Sequence, residues 1–337
     1  MAVNDLITPS VRSLCEVRGV SIVYETPTPA VAVRSVSFSV GRGEILGIAG
    51  ESGSGKSTVV KAITRLLPAN AKVSSGHIEL LGQNVFDLSD EALRQLRWKH
   101  VALVPQNSIN ALNPVLRVGH QIVDALMAHE KVTKREAWTE TERLMELVEL
   151  SRTNAYRFPH ELSGGMRQRV IIAMAMALHP DLLILDEPTT ALDLVVQAQV
   201  LRMLKTVRAE FGFSILMITH DLPLLLSYCD RILVMYGGEI VEYGPSQQMF
   251  RAPLHPYTKA LIQSAPSIYN RDDFRSIPGD AINPLDPPLG CSFHPRCSVV
   301  YEPCSRLKPS LLAVTSSQGA ACHLLNNRGE SAKGGQS

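Results

Sequence analysis

A glycine-rich segment at residues 50–57, Gly-Glu-Ser-Gly-Ser-Gly-Lys-Ser, carries the residue types that most directly imply chemistry. Its glycines let the backbone curl so that N–H groups point at phosphate oxygens, and a helix that begins here adds the positive end of its dipole. Lys56 is expected to reach the β- and γ-phosphates of a nucleotide, and the Ser57 hydroxyl to ligate Mg²⁺. The residues predicted to contact the nucleotide here are Gly50, Ser52, Gly53, Ser54, Gly55, Lys56, Ser57 and Thr58.

Two adjacent carboxylates, Asp186 and Glu187, follow the apolar run Leu-Leu-Ile-Leu. Ligands of open parallel sheets bind where strands end, so this position suits catalysis. Asp186 is expected to interact with Mg²⁺, directly or through water, and Glu187 to act as general base on the attacking water. A solvated acidic loop is the alternative.

A second anion site is predicted at residues 162–166, Leu-Ser-Gly-Gly-Met, where a helix begins. Ser163, Gly164 and Gly165 expose backbone N–H groups at the positive end of that helix. The loop that holds Lys56 already binds the phosphates of one nucleotide, so a second site suggests contact with the ATP of a partner subunit. Taken alone, Ser163 is simply a helix cap.

Strand and helix patterns alternate along the first 244 residues. Strands are predicted at 18–24, 31–40, 44–49, 76–81, 101–105, 182–185, 214–219 and 231–236. Helices are predicted at 57–67, within 118–150, and at 170–178, 195–211 and 222–228. This alternation implies parallel strands covered by helices. Prolines after about residue 244 predict an irregular appendage, and the polar residues 326–337 a disordered tail.

Composition describes an ordinary folded protein: 337 residues, 45% hydrophobic and 19% charged. Lys and Arg (33) nearly cancel Asp and Glu (32), so no global field attracts nucleic acid or anionic lipid. The N-terminus shows no secretory signal, and the longest apolar stretch, 170–178, is about half of what crosses a bilayer. The chain is therefore predicted to be cytosolic, to bind membranes only through a partner, and to keep its cysteines reduced.

These motifs together resemble the nucleotide-binding subunit of an ABC transporter. The resemblance spans roughly residues 18–244 and rests on the Walker A segment, Leu-Ser-Gly-Gly, Asp-Glu-Pro at 186–188, Ala-Leu-Asp at 191–193 and Ile-Thr-His-Asp at 218–221. It implies that Gln106 is the Q-loop glutamine, which senses Mg²⁺ and the membrane partner, and that His220 is the switch histidine at the γ-phosphate. It also implies that Asp193 touches the opposite subunit and that Tyr24 stacks on adenine.

The implied fold is a P-loop NTPase of the α/β class, with a RecA-like parallel core, an antiparallel β subdomain and a helical subdomain at about 107–165. The implied domains are a nucleotide-binding domain at 12–245, a cysteine-containing extension at 246–325 and the tail at 326–337. The resemblance further implies closure of two ATPases around ATP, with a paralogue as the expected second subunit. Two transmembrane permeases and an extracytoplasmic solute-binding protein would complete an importer, leaving this chain peripheral on the cytoplasmic face of a bacterial inner membrane.

The extension narrows the resemblance to the oligopeptide and dipeptide importer ATPases, through His-Pro-Tyr-Thr at 255–258 and Gly-Cys-Ser-Phe-His-Pro-Arg-Cys at 290–297. Within that group it is similar to an extension that carries an iron–sulfur cluster. The four clustered cysteines are spaced C-x5-C-x6-C-x17-C and are Cys291, Cys297, Cys304 and Cys322. A [4Fe–4S] cluster is expected, with Zn²⁺ or unmetallated thiols as alternatives. Cys15 and Cys229 are predicted to be small buried hydrophobes.

Peptides are the cargo that the resemblance favours, while nickel complexes and oligosaccharides remain open. A DNA-linked ATPase uses the same motifs but usually adds a long coiled-coil or zinc insertion, or a basic face. The insert between Gln106 and Ser163 is short and the net charge is +1, so no nucleic-acid partner is expected. An iron–sulfur handling or redox-sensing protein driven by ATP is the third possibility.

Overall fold

The computed structural model describes residues 13–106, 108–190, 192–264 and 276–325. The predictions made for the N-terminus, for Ala191 and for the tail at 326–337 lie outside these residues. The chain forms two compact units. The first contains the residues up to Gly41, Ile45–Phe86 and the residues from Thr219 onward; the second contains Arg42–Glu44 and Asp87–Ile218.

The described residues contain twelve strands. In chain order they are β1 (Ser13–Tyr24), β2 (Ala30–Gly41), β3 (Ile45–Ala49), β4 (Ala71–Leu80), β5 (Gln83–Asn84), β6 (Val101–Val104), β7 (Leu182–Asp186), β8 (Ser214–Thr219), β9 (Arg231–Tyr236), β10 (Glu239–Pro245), β11 (Leu312–Ala313) and β12 (Gly319–Ala320).

The same residues contain nine α-helices. They are α1 (Lys56–Ile63), α2 (Asp90–Leu96), α3 (Val118–His129), α4 (Lys134–Leu147), α5 (Gly164–Met176), α6 (Leu194–Phe211), α7 (Leu222–Tyr228), α8 (Ser246–Arg251) and α9 (Pro256–Gln263). None of these helices is long and apolar enough to cross a membrane.

The first unit contains an antiparallel sheet of order β2-β1-β4-β5. Its strands pair with Val17 opposite Phe38 and Val20 opposite Val36, and these side chains are buried. Buried and more exposed side chains alternate along β1, and the alternation shifts by one residue between Val17 and Val20, where a register shift interrupts the pairing. The half-buried pattern of these strands is therefore the one that a sheet with a single packed face requires.

The first unit also contains strands in the order β11-β12-β10-β9-β3. Strands β3 and β9 are parallel, with Ile48 opposite Leu233, whereas β10 runs antiparallel to β9. Every residue of β3 is buried, and the chain leaves this strand directly into the glycine-rich loop. Helix α1 ends four residues earlier than predicted, and Arg65 just beyond it adopts φ 50°, in the left-handed region.

The second unit contains the parallel strands β6, β7 and β8, with β7 in the centre. All residues of β7 and β8 are buried, which explains their uninterrupted apolar sequences. Helix α5 has apolar residues on every side, and Val170, Ile172 and Ala173 are fully buried, as predicted for a core helix.

Helices α3 and α4 form the predicted helical insert of the second unit. A capping box starts α4: Glu136 N donates to Thr133 Oγ1 over 3.3 Å, and Thr133 N donates to Glu136 Oε2 over 2.7 Å. A Cβ at Gly119 of α3 would lie 2.6 Å from the Ala155 carbonyl and 2.8 Å from the Trp138 ring. The close packing of α3 therefore depends on this glycine.

The segment after residue 244 begins with the short helices α8 and α9, which its proline content did not predict. Pro256 is the first residue of α9. A backbone N–H at this position would have no intrahelical partner, so proline, which lacks one, is tolerated there. Farther on the chain is loop-rich as predicted, and β12 adds to β10 with Glu242 opposite Ala320. The extension is thus joined to the rest of the first unit by strand pairing.

Candidate nucleotide site

The glycine-rich loop connects β3 to α1, which is the strand–loop–helix arrangement expected of a phosphate loop. Gly55 adopts φ 97° at the start of α1, and a Cβ there would lie 2.5 Å from the Ala32 carbonyl oxygen. A Cβ at Gly50 would lie 2.3 Å from the Met235 carbonyl oxygen. Both positions therefore require glycine on steric grounds, whatever binds in the loop.

The Lys56 side chain is buried inside this loop, with the residue only 5% exposed. Its Nζ donates to the carbonyl oxygens of Gly50 and Glu51, over 2.7 and 2.8 Å, and to Ser54 Oγ over 3.2 Å. A buried ammonium needs such oxygen partners because burial removes its hydration. The loop therefore concentrates one positive charge at the start of α1, where the helix dipole also favours an anion.

Tyr24 lies beside the same helix start. It ends β1, and its hydroxyl is 3.3 Å from Thr58 Oγ1 on the first turn of α1. The structure thus brings Tyr24 and Thr58 together, and Ser57 stands on the same turn. Ser52 and Gly53 are exposed on the loop.

His220 belongs to the first unit as well. It is exposed between the last residue of β8 and Asp221, which caps α7 by accepting a hydrogen bond from Leu224 N over 3.0 Å. Asp221 N donates to Thr219 Oγ1 over 3.1 Å. These bonds on both sides of the cap fix the backbone that carries the histidine.

The acidic pair lies at the end of β7 in the second unit. Asp186 is the last residue of the strand and is 5% exposed. Glu187 follows with φ 52°, in the left-handed region, and its N–H donates to the Ile218 carbonyl over 2.8 Å. A non-glycine residue held in this region stores strain, which is common at active sites.

The Glu187 carboxylate accepts two hydrogen bonds at the same oxygen, Oε2. Gln106 Nε2 donates over 3.1 Å, and Thr190 Oγ1 donates over 2.9 Å. The structure therefore brings together two residues that the sequence analysis selected separately, Gln106 and Glu187. The sequence motifs did not predict a role for Thr190. Its position three residues after Glu187 is the only feature of the sequence that could have indicated this contact.

Ser163 begins α5 and caps it, since Met166 N donates to Ser163 Oγ over 3.3 Å. A Cβ at Gly165 would lie 2.3 Å from Cγ1 of Val196 on α6. Asp193 caps α6 by accepting hydrogen bonds from Val195 N over 3.0 Å and from Val196 N over 2.9 Å. The predicted signature residues and Asp193 thus lie at two helix starts that pack closely together.

The four clustered cysteines line one cavity, together with His255, Phe293 and His294. The volume of this cavity is only about 10 Å³. Burial raises the pKa of the Cys291 thiol to about 11. Within the described ranges, no group of three or more His, Cys, Asp or Glu side chains is arranged to hold a metal ion. The thiols converge as predicted, but their positions do not support the predicted metal site.

Cys15 and Cys229 stand apart from this cavity, and each is buried, as predicted. None of the six cysteines forms a disulfide. A Cβ at Gly47 of β3 would lie 2.9 Å from the Cys229 sulfur, so Cys229 fills space in the core. This is the role of a small apolar side chain.

Known proteins resemble this chain over most of its length. The ABC transporter family model matches residues 33–190, and the model for the oligopeptide/dipeptide transporter C-terminal region matches residues 241–304. The chain is 42% identical over 301 residues to the oligopeptide transport ATP-binding protein OppD of Escherichia coli, covering 88% of this chain and 89% of OppD. It is 38% identical over 318 residues to the dipeptide transport ATP-binding protein DppD of Caldanaerobacter subterraneus, covering 92% and 95%.

A solved structure with the same fold is the dimeric ATP-binding cassette MJ0796 in a post-hydrolysis state with ADP and Pi. It superposes with a TM-score of 0.62 at 28% identity, covering 69% of this chain and 98% of the cassette. The predicted P-loop ABC ATPase fold is thereby confirmed. The chain belongs to the ABC transporter family of ATP-binding proteins, in the group that carries the oligopeptide/dipeptide transporter C-terminal region.

Proposed function

We propose that the chain is the ATP-hydrolysing subunit of an importer that takes up oligopeptides or dipeptides. The observation that carries this proposal is that one chain contains both a buried lysine in a phosphate loop and a Glu187 carboxylate held by Gln106. The named relatives are peptide transport ATP-binding proteins aligned over most of their length, which supports peptides as the cargo.

ATP binding is assigned to the first unit. The Lys56 ammonium donates to loop oxygens in this structure, and it would donate to the β- and γ-phosphates instead when ATP binds. Backbone N–H groups of the loop would bind the other phosphate oxygens. Tyr24, beside Thr58, would stack on adenine. Mg²⁺ would supply charge neutralisation of the phosphates, and its proposed ligands are Ser57, Gln106 and Asp186.

Hydrolysis is assigned to Glu187 as general base. It would accept a proton from water while the water oxygen attacks the γ-phosphorus and the bond to the bridging oxygen breaks, giving ADP and phosphate. The bonds from Gln106 and Thr190 orient the carboxylate before water arrives. His220 is proposed to contact the γ-phosphate.

The family implies a dimer of ATPases and permease partners. We propose that Ser163, Gly164 and Gly165 bind the γ-phosphate of the nucleotide held by the second ATPase, and that Asp193 contacts that subunit. A paralogue as second subunit, two permeases and an extracytoplasmic solute-binding protein complete the proposed assembly. It would hold this chain on the cytoplasmic face of the inner membrane, without a nucleic-acid partner.

The proposed domains are a nucleotide-binding domain at 12–245, with its helical subdomain at about 107–165, and an extension at 246–325. The separate matches of two family models support a division near residue 241.

A [4Fe–4S] cluster on Cys291, Cys297, Cys304 and Cys322 is proposed, with Zn²⁺ as the alternative. It rests on donor chemistry, since thiolates suit either group and all four thiols line one cavity, although the described residues contain no group arranged to hold a metal ion. Iron, acid-labile sulfide and zinc assays on anaerobically purified protein distinguish the two. The absence of all three would leave only unmetallated thiols.

The function is tested by reconstituting the chain in vesicles with the permease, second ATPase and solute-binding subunits that co-purify with it. We expect Mg-ATP hydrolysis that peptides stimulate and that accompanies peptide uptake. Stimulation by oligosaccharides or nickel complexes, with none by peptides, would reassign the cargo. Failure of the chain to bind Mg-ATP, alone and in the assembly, would remove the proposal.

A further inference from the structure

An arginine of the C-terminal extension holds a glutamate of the phosphate loop. Arg296 Nη1 donates to Glu51 Oε2 over 2.6 Å, and Nη2 donates to Glu51 Oε1 over 3.0 Å. The two side chains are only 7% and 28% exposed. A bidentate pair of this kind fixes orientation as well as distance, and solvent screens it less than a surface pair.

Arg296 is itself held in one orientation. Its Nε donates to the Pro278 carbonyl over 2.8 Å, and Nη1 lies 3.3 Å from the Tyr236 hydroxyl, to which it also donates. A Cβ at Gly279 would lie 3.2 Å from Arg296 Cγ, so the stem of the side chain passes close to this backbone. The position of the guanidinium beside Glu51 is therefore fixed by these other contacts of Arg296 as well.

The backbone of Glu51 is held by the same extension. Glu51 N donates to the hydroxyl of Tyr257, over 2.9 Å. Tyr257 on α9 is fully buried, with its ring centroid 4.6 Å from that of Tyr236 and 5.2 Å from that of Phe293. Both the side chain and the N–H of Glu51 thus depend on residues more than two hundred positions away in sequence.

Glu51 in turn supports the part of the loop that binds phosphate. Its carbonyl oxygen accepts from Lys56 Nζ over 2.8 Å and from Ser54 N over 3.2 Å. A continuous series of bonds therefore runs from Arg296 through Glu51 to Lys56.

We propose that Arg296, assisted by Tyr257, positions the phosphate loop for ATP, so that the C-terminal extension completes the nucleotide site of its own chain. Arg296 is a positioning residue that acts through Glu51. The inference rests on the proposed function in one respect, that the loop holding Lys56 binds ATP. It extends that function by giving the extension a role in nucleotide affinity.

The test compares Arg296→Gln, Glu51→Gln and the double variant as purified full-length chains. We expect each single change to raise the Kd for Mg-ATP roughly tenfold, the scale of couplings within one hydrogen-bonded network. At saturating ATP, kcat should change less than about threefold, because the hydrolytic residues are untouched. The double variant should be no weaker than the weaker single variant, since both changes remove one interaction.

Three further variants separate positioning from general stability. Arg296→Lys should restore part of the affinity, because lysine keeps the charge but not the bidentate geometry. Tyr257→Phe keeps the buried ring and removes only the hydroxyl, so it should weaken ATP binding in the same direction. Arg306→Gln is the control: Arg306 is an exposed arginine of the same extension, 3.8 Å from Glu302, and its loss should leave the Kd unchanged.

Melting temperatures without nucleotide complete the comparison. A lower melting temperature for Arg296→Gln with an unchanged Kd would overturn the inference, because Arg296 would then only stabilise the fold. Additive losses of ATP affinity in the double variant would also overturn it. If Arg296→Gln does not fold, Glu51→Gln and Tyr257→Phe decide the question by the same Kd. If the wild-type chain itself binds no Mg-ATP, the proposed function fails and not merely this extension of it.

Discussion

Gln106 Nε2 donates a hydrogen bond to Glu187 Oε2 over 3.1 Å, although the two residues are 81 positions apart. Gln106 follows β6 and Glu187 follows β7, and these parallel neighbours end at the same edge of their sheet. An amide donor on one carboxylate oxygen restricts the rotation of that carboxylate. The pair therefore fixes the direction of the proposed base.

Glu187→Gln is the first prediction. The amide is nearly isosteric, and its oxygen can still accept from Gln106 and Thr190, so folding and Mg-ATP binding should be retained. Turnover should fall by about 10²- to 10⁴-fold, because an amide cannot accept the proton of water. Phosphate release and nucleotide binding are measured on the same preparation. Hydrolysis at the wild-type rate would show that the base is another group.

Thr190→Val is the second prediction. Valine keeps the shape of threonine but removes the hydroxyl that donates to Glu187 Oε2 over 2.9 Å. We expect kcat to fall by roughly three- to tenfold with little change in KM, the effect of losing one orienting bond to a charged group. Thr190→Ser retains the hydroxyl and serves as the control. A loss in the serine variant with none in the valine variant would mean that the methyl group, and not the bond, matters.

Much of the framework was predictable because burial leaves clear sequence patterns. Strands β8 and β9 and helix α7 have the predicted bounds, since each is an apolar run ended by a polar or capping residue. The strand–loop–helix context of Lys56 followed from the same reasoning.

Contacts between distant segments could not be predicted in this way. Nothing in the local sequence of Arg296 indicates Glu51 as its partner, because the bond depends on how the extension packs on its unit. Helices α8 and α9 were not predicted, because prolines in this segment indicated irregular structure. The prolines instead stand at the starts of the two helices, where they are tolerated. The convergence of four thiols was predictable from clustering, whereas their individual positions were not.

Gly165→Ala is the third prediction. The added Cβ would lie 2.3 Å from Val196 Cγ1, too close for any real contact, so the Val196 side chain or the two helices must shift. We expect a loss of about 2 kcal/mol in the free energy of unfolding, since overpacking outweighs the smaller helix-propensity gain of alanine. Urea denaturation measures the change.

Two variants control for this steric explanation. Gly164→Ala adds the same methyl group one residue earlier, where the nearest atom, Leu192 Cδ2, is 3.7 Å away in ordinary contact. Its stability should match or slightly exceed the wild type. Replacing Val196 by alanine in the Gly165→Ala background should recover part of the loss. Equal destabilisation at both glycines would contradict a specific clash with Val196.

The fourth prediction concerns the alkaline limit of stability. Burial raises the pKa of the fully buried Cys15 thiol to about 12, from 9.0. The unfolded chain therefore releases this proton first, so the contribution of Cys15 is complete below pH 9 and is lost as the pH rises towards 12. Between pH 8 and pH 11, the wild type should lose about 2.5 kcal/mol more unfolding free energy than Cys15→Ala, which has no thiol to ionise. Parallel pH profiles for the two proteins would show that this thiol does not titrate with unfolding.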